Sequence, residues 1–175
     1  MADKVLEAFL RRQYEEGVRL AESSDLLGLL ALGGDPPRDY IAQFRCKGLV
    51  RDSAGKVDEA DCFEVLIQFP PDYLRRAEPA EVLTWLGPRE VFHPNISNRG
   101  PVVCIGRLAP GTSLADILYQ LYEIISYQKV TPREDDALNK EACVWVRNNP
   151  DRLPVDSRPL KRRTLKITGE ALCTA

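Results

Sequence analysis

The hydrophobic pattern of the chain changes its period, and this change constrains the fold more than any other feature. Across residues 63–69 apolar residues occupy every second position, which is typical of a strand with one buried face. Across residues 114–125 they recur every three or four positions, which predicts a core helix opened by Ser113. Helices are also predicted over residues 3–23 and 138–148. Strands followed by helices predict an α+β domain with an antiparallel sheet.

The strands are predicted to form a meander of about four, placed between the first helix and a long coil. Residues 40–50 and 62–69 have the composition of two strands joined by a turn at residues 52–56. A shorter strand is predicted over residues 81–86. Glycine and proline recur every few positions across residues 87–110, so this segment is predicted to be a loop. Loops of this length inside a compact domain are often functional.

Length and charge limit the organisation and the partners of the chain. Its 175 residues fit one domain, assigned to residues 1–153, followed by a basic tail over residues 154–175. A formal net charge of −2 provides no broad basic field for nucleic acid. The longest apolar run, residues 26–32, is too short to cross a bilayer, and the first residues do not form a signal peptide. We therefore expect neither nucleic acid nor a membrane as a partner.

Cysteine and histidine usage indicates reduced thiols and no metal. The five cysteines stand at positions 46, 62, 104, 143 and 173, with no Cys-x-x-Cys pair. The chain has one histidine, His93, so a zinc site would lack ligands. Cys46, Cys62 and Cys143 are expected to be packing residues in regular elements. We expect a cytoplasmic protein that uses neither a metal nor a cofactor.

The long loop contains the residues best suited to chemistry. It holds His93 and Cys104, and a cysteine near the end of a loop is positioned for the partial exposure that a nucleophile requires. From the residues alone, two interpretations stay open for each of them. Cys104 is a nucleophile or a small apolar residue between Val103 and Ile105. His93 is a general base or a structural side chain.

Several motifs in this loop and around it occur in the same order as in ubiquitin-conjugating enzymes. They are Phe69-Pro70, Asp72-Tyr73, Pro79, Val91-Phe92-His93-Pro94-Asn95-Ile96, Cys104 and Asp135-Asp136-Ala137-Leu138-Asn139-Lys140-Glu141-Ala142. The chain resembles that family from about residue 38 to about residue 150, and its first helix matches the family's first helix. The most specific part of the resemblance is the His-Pro-Asn tripeptide with a cysteine nine residues after its asparagine.

The resemblance implies a transferase that carries a ubiquitin-like protein as a thioester on Cys104 and passes it to an amine of a protein substrate. Such a nucleophile divides one difficult acyl transfer into two easier steps. Asn95 would stabilise the tetrahedral oxyanion, brace the loop, or do both. His93 and Pro94 would be structural residues of the active-site loop. Asp136 would orient the attacking amine and accept its proton, or be a helix-start charge favoured by the helix dipole.

The resemblance also implies protein partners. The family meets its activating enzyme through the first helix, so Lys4, Arg11 and Arg12 are the expected contact, with a plain solvated face as the alternative. Where many members carry an exposed phenylalanine that docks RING-type ligases, this chain has Leu74-Arg75-Arg76. Of the second ligase-contacting loop it retains only Pro110. A conventional ligase contact is therefore not expected.

Other departures point to a divergent branch of the family. The interval from Asn95 to Cys104 is one residue longer than is common in the family, and residues 106–112 lack the tryptophan that usually follows the cysteine. These traits are more similar to homologues encoded in bacterial operons beside activating-enzyme, ubiquitin-like and deubiquitinase-like proteins. Some of those homologues serve in phage defence.

Two other functions stay open at this point. The first is a catalytically silent relative that binds a ubiquitin-like protein without forming a thioester, although silent relatives typically lose the cysteine. The second is an unrelated thiol hydrolase in which His93 acts as the base for Cys104, although no orienting acid is evident in the sequence.

Overall fold

The computed structural model describes residues 3–131 and 133–162 and contains four α-helices, two short 3-10 helices and six strands in that part of the chain. In chain order the elements are α1 (Lys4–Glu22), β1 (Leu27–Leu32), β2 (Asp39–Phe44), β3 (Gly48–Arg51), β4 (Val57–Ala60), β5 (Phe63–Gln68), α2 (Pro79–Val82), β6 (Leu83–Gly87), α3 (Leu114–Ile125) and α4 (Lys140–Asn148). None of these helices is long and apolar enough to cross a membrane. The arrangement confirms the predicted α+β class.

The main sheet has four antiparallel strands in the order β1-β2-β5-β6, so it is a meander interrupted by the β3–β4 excursion. Along β5, Phe63, Val65 and Ile67 are buried, whereas the residues between them are half-buried, as the alternating pattern predicts. Helix α3 contributes its apolar stripe to the same core, including Ile117, Leu121 and residues flanking them. The period-two strands and the period-3.6 helix therefore share one core.

Helix α1 begins where a side chain can cap it. The Asp3 carboxylate accepts hydrogen bonds from the amides of Val5 and Leu6, at 3.0 and 3.3 Å. The buried face of α1 includes Gln13, whose side-chain oxygen accepts the amide of Leu114 at 2.7 Å. This contact satisfies the first amide of α3, which has no partner within its own helix. A polar residue of one helix thus positions the start of the other.

The predicted strand over residues 40–50 is wrong in one respect: it is two strands, β2 and β3, separated at residues 45–47. The backbone there bonds to other parts of the chain. The amide of Arg45 donates to the Leu26 carbonyl at 2.7 Å, and the amide of Lys47 donates to the Asp156 carboxylate at 3.2 Å. The turn at residues 52–56 is present, but it joins β3 to β4 in a separate two-stranded sheet. Strands β2 and β5 still pair as expected.

Other element boundaries also shift. Strand β1 was not predicted, because its leucine, glycine and alanine residues have little preference for strands and it depends on pairing with β2 and packing against α1. The strand predicted over residues 81–86 begins at Leu83, after the short helix α2. Helix α4 begins at Lys140, two residues later than predicted. Cys46 and Cys143 are buried, but Cys62 is exposed between β4 and β5, so its expected packing role is wrong.

Residues 154–162, assigned above to the tail, lie against the domain. The hydroxyl of Tyr122 donates to the Arg158 carbonyl at 2.5 Å, and Leu160 is buried. The amide of Arg162 donates to the Ser23 carbonyl at 2.9 Å, at the end of α1. Packing therefore continues past residue 153. The predicted basic tail contains three consecutive basic residues, Lys161-Arg162-Arg163, of which the third and the residues after it lie outside the described residues.

Asp156 is the main polar anchor of this segment. Its buried carboxylate accepts the amide of Lys47 and two guanidinium N–H groups of Arg158, at 3.2, 2.8 and 2.5 Å. The hydrogen bonds from Arg158 lower the pKa of Asp156 to about 2, against the opposing effect of burial. The carboxylate is thus more acidic in the folded chain than in the unfolded chain, so its stabilising effect is complete above about pH 4 and is lost as the pH falls towards 2.

We expect Asp156→Asn to lower the free energy of unfolding by about 1–2 kcal/mol at pH 7, because the charge-assisted hydrogen bonds are weakened. The difference from wild type should be smaller at pH 3. Urea denaturation followed by circular dichroism at both pH values measures it. Asp151→Asn is the matched control, since Asp151 is exposed and makes no ion pair within the described part of the chain. A difference that does not change with pH would contradict the assigned role.

Candidate functional site

The segment from residue 88 to residue 112 connects β6 to α3 and contains two isolated bridges in place of regular strands. Val91 pairs with Val50 of β3, and Ile96 pairs with Val103. The second bridge folds residues 96–103 into a narrow loop, closed further by a 2.9 Å hydrogen bond from the Ser97 amide to the Val102 carbonyl. Asn95 and Cys104 are the residues just outside this bridge, so the loop brings them side by side.

Asn95 and Cys104 are joined by two hydrogen bonds. The Cys104 amide donates to the Asn95 carbonyl at 2.8 Å, and the Asn95 side-chain nitrogen donates to the Cys104 carbonyl at 3.1 Å. The Asn95 side-chain oxygen accepts the amide of Thr131 at 2.9 Å. The side chain therefore braces the loop against the segment after α3. An amide nitrogen has two N–H groups, so one donor is left after the bond to Cys104.

Cys104 is partly exposed, whereas Val103 and Ile105 on either side are buried. Because the backbone is extended here, neighbouring side chains point in opposite directions, and burial of the two neighbours turns Cys104 towards solvent. The alternative interpretation of Cys104, a small apolar residue packed into the core, describes Cys46 and Cys143 better, since both of those are buried.

His93 is almost fully buried, on the side of the loop that faces the protein interior. Its Nδ1 accepts the amide of Asn95 at 3.0 Å, and its ring packs edge-on against Tyr127 with centroids 4.4 Å apart. Burial lowers the pKa of His93 to about 3, with a smaller opposing effect from the backbone of Ile124. The ring is therefore neutral with its proton on Nε2, a buried atom that makes no hydrogen bond of normal geometry to the described residues, although the Ile124 backbone lies near enough to oppose the lowering of the pKa. Neither nitrogen has a lone pair free to act as a base.

Tyr127 holds the start of the loop in place, and the sequence did not identify it as a residue of the site. Its backbone is in the left-handed region, with φ at 58°, which is uncommon for a residue other than glycine. Its buried hydroxyl donates to the carbonyl of Phe92, directly before the tripeptide. Phe92 in turn packs edge-on against Trp145 of α4. No local pattern marks Tyr127 or Thr131, because their contacts depend on chain segments more than thirty residues away.

Pro94 links the loop to the residues before α4. Its carbonyl accepts the amides of Leu138 and Asn139, at 2.9 and 3.2 Å. These bonds delay the start of α4 to Lys140, and Asn139 caps the helix by accepting the amide of Ala142 at 3.1 Å. The segment that contains Asp136 is thus bonded directly to the tripeptide.

Asp136 lies in a separate 3-10 turn, Glu134–Asp136, rather than in the first turn of α4. It therefore does not cap that helix. Its carboxylate is largely exposed and lies 3.8 Å from the guanidinium of Arg133, as does that of Asp135. The arrangement places an ionisable oxygen on the solvent side of the chain two residues before the Pro94 contact.

Lys4, Arg11 and Arg12 lie on the exposed face of α1, away from this loop. Arg11 pairs with Glu7 and Asp35, both at 3.5 Å, and Arg12 pairs with Glu16 at 2.8 Å. Within residues 3–131 and 133–162, none of these side chains forms a hydrogen bond or ion pair with the loop. The structure thus brings Cys104, Asn95, His93 and Pro94 together, places the Asp136 segment beside them, and leaves the α1 cations as a separate surface.

No group of three or more metal-ligating side chains is arranged to hold an ion in the part of the chain that the structure describes. The chain's sequence matches no protein-family model and no curated protein.

Proposed function

We propose that the chain is a ubiquitin-conjugating-type transferase that carries a ubiquitin-like protein as a thioester on Cys104. One observation supports this most strongly: the amide and the carbonyl of the partly exposed Cys104 are both hydrogen-bonded to Asn95, whose side-chain nitrogen has a second N–H that bonds to none of the described residues. A nucleophile with a neutral donor beside it is the arrangement that acyl transfer requires. The neutral, buried state of His93 favours this function over a hydrolase in which His93 would be the base.

The chemistry consists of two exchanges at one carbonyl carbon. In the first, the thiolate of Cys104 attacks the thioester of the carrier on its activating enzyme; the new C–S bond forms, and the enzyme's thiolate leaves with its electron pair. In the second, an amine of the target attacks the carbon bound to Cys104. The amide C–N bond forms, the C–S bond breaks, Cys104 leaves as thiolate, and the amine proton passes to a base. Each attack creates an oxyanion that a donor such as Asn95 would stabilise.

The proposal includes the partners and the setting. The exposed cations Lys4, Arg11 and Arg12 of α1 would contact the activating enzyme. A reduced Cys104 and an ATP-dependent activating enzyme both fit the cytoplasm. We propose a pathway of the divergent bacterial kind, which extends to phage defence, and one that uses no conventional ligase contact.

The proposed function is tested by incubating the full chain with an activating enzyme, ATP and a ubiquitin-like protein from the same genome. A covalent adduct should appear on non-reducing gels and disappear with a thiol reductant. Cys62→Ala should load equally well, because Cys62 is exposed but lies outside the site. Binding of the carrier without an adduct would favour the silent module instead, and an adduct that resists reductant would rule out a thioester.

Asp136→Ala is expected to slow discharge of the adduct to free lysine by at least about tenfold at pH 7, because lysine, with an ordinary pKa of about 10.4, needs a proton acceptor. The defect should shrink as the pH rises to 9.5, where more of the amine is already deprotonated. Single-turnover discharge measured across this range tests it. Asp135→Ala is the matched control, since Asp135 also lies 3.8 Å from Arg133. A defect of constant size at all pH values would argue against proton acceptance.

A further inference from the structure

A cleft of about 550 Å³ lies between β6 and the tip of the loop that carries Cys104. Trp85 and Leu86 form one wall, and residues 97–101 form the other. Arg89 completes the lining. This cleft shares no lining residue with the Cys104–Asn95 contact, so the function proposed above leaves it unassigned.

The charge of the cleft is entirely positive. Arg89 and Arg99 are its only ionisable lining residues, and both are exposed. Neither forms an ion pair with any residue that the structure describes, in contrast to Arg76, which lies within 4 Å of two glutamates. Guanidinium groups present several donors in a plane that matches a carboxylate. Two such groups without partners, facing one cleft, favour a ligand with carboxylates.

The walls of the cleft are fixed before any ligand arrives. The Trp85 amide donates to the Pro101 carbonyl at 2.9 Å, and its indole N–H donates to the Pro88 carbonyl at 2.8 Å. The amide of Arg99 donates to the Ser97 hydroxyl at 3.1 Å. Leu86 is 42% exposed and gives the cleft an apolar surface. A fixed cleft with an apolar wall and a cationic rim is suited to an extended peptide that carries acidic and apolar side chains.

The cleft is close to the thiol along the chain. Pro101 stands three residues before Cys104, a distance of at most about 10 Å in extended chain. An extended peptide held in the cleft can therefore place a residue about three positions from its carboxylates at the thioester. The carrier is already held there by a covalent bond, whereas an acceptor amine depends on non-covalent binding to raise its local concentration.

We propose that this cleft binds the acceptor: a protein segment in which acidic and apolar residues flank the lysine that receives the carrier. The proposal rests on the thioester function of Cys104. Arg89 and Arg99 pair with the acceptor's carboxylates, and Leu86 contacts an apolar side chain. These residues select the lysine by position, while the reaction itself takes place at Cys104.

The test uses the full chain and two fluorescent peptides: one with a lysine flanked by aspartate, glutamate and leucine, and one with the acids replaced by amides. Anisotropy with the unloaded chain should show at least tenfold tighter binding of the acidic peptide, weakening with salt. The double variant Arg89→Glu with Arg99→Glu should remove this preference. Arg75→Glu, an exposed arginine outside the cleft, should not. Equal binding of both peptides, or a preference that survives the double variant, would overturn the proposal.

Discharge from the loaded chain completes the test. The double variant should slow transfer to the acidic peptide at least tenfold while leaving transfer to free lysine and loading from the activating enzyme unchanged. If loading is slowed instead, the cleft contacts the carrier and the acceptor assignment is wrong. Peptide binding is measured without a thioester, so failure to form an adduct would count against the function of Cys104, whereas loss of peptide selectivity alone would count against the cleft.

Discussion

Cys104→Ala is expected to abolish the reducible adduct completely, because no other cysteine among the residues that the structure describes occupies a comparable position. Cys46 and Cys143 are buried, and Cys62 is exposed on the connection between β4 and β5. The substitution should leave the fold intact, since Cys104 is partly exposed and its two contacts with Asn95 both use its backbone. Non-reducing electrophoresis of the loading reaction measures the loss, and matching far-ultraviolet circular dichroism shows that the variant is folded.

Cys104→Lys tests the same position with a variant that should keep the carrier instead of losing it. An amine at this position should accept the carrier as an amide, which thiol reductants do not cleave. The adduct should therefore form more slowly than in wild type but persist in reductant. A reducible adduct that survives in Cys104→Ala would place the thioester on another cysteine. Failure of the folded lysine variant to accept any carrier, beside a wild type that loads, would show that the position is not presented to the activating enzyme.

Asn95→Ala is expected to slow discharge to free lysine by about a hundredfold or more, since removal of one oxyanion donor typically has that effect. The thioester should still form, because a thiolate is a stronger nucleophile than the amine and depends less on the donor. Asn98→Ala is the matched control, an exposed asparagine in the same loop. Single-turnover discharge of purified adduct measures both variants under one set of conditions.

The bracing role of Asn95 needs a separate variant. Asn95→Asp keeps an oxygen that can accept the Thr131 amide but removes the N–H donors and adds negative charge beside the oxyanion. If the oxyanion role is right, discharge should be at least as slow as in Asn95→Ala, although the brace to Thr131 remains. Thermal unfolding should then show Asn95→Asp nearer to wild type than Asn95→Ala. Discharge at the wild-type rate in either variant would leave Asn95 with a bracing role alone.

Most of the helices and strands could be predicted from short stretches of sequence. Asp3 and Ser113 cap helices α1 and α3 where their patterns predict, because a cap needs only its own side chain and amides two or three residues away. The alternation across β5 is equally local. The break between β2 and β3 was not predictable in this way: the Lys47 amide finds its acceptor in Asp156, 109 residues further along. Nothing in residues 40–50 shows where that acceptor will be.

The same division applies to the candidate site. Residue types and the long loop made Cys104 a candidate nucleophile, and the resemblance to ubiquitin-conjugating enzymes added Asn95 and Asp136. The residues that hold these side chains in place could not be predicted from the sequence. Thr131 braces Asn95 across 36 residues, and Tyr127 reaches Phe92 across 35. The two unpaired arginines of the cleft also look like any others until the tertiary structure shows that no carboxylate among the described residues pairs with them.

By itself, then, the sequence determined the α+β class, the long loop and the chemically capable residues, because periodicity, capping and side-chain chemistry act over a few positions. Only the tertiary structure decided that Cys104 faces solvent, that His93 is neutral and has no free lone pair, and that residues 154–162 belong to the packed domain. These properties depend on which distant segments exclude water or supply hydrogen-bond partners. Burial and hydrogen-bond pairing are properties of the folded chain, and they cannot be read from a short stretch of sequence.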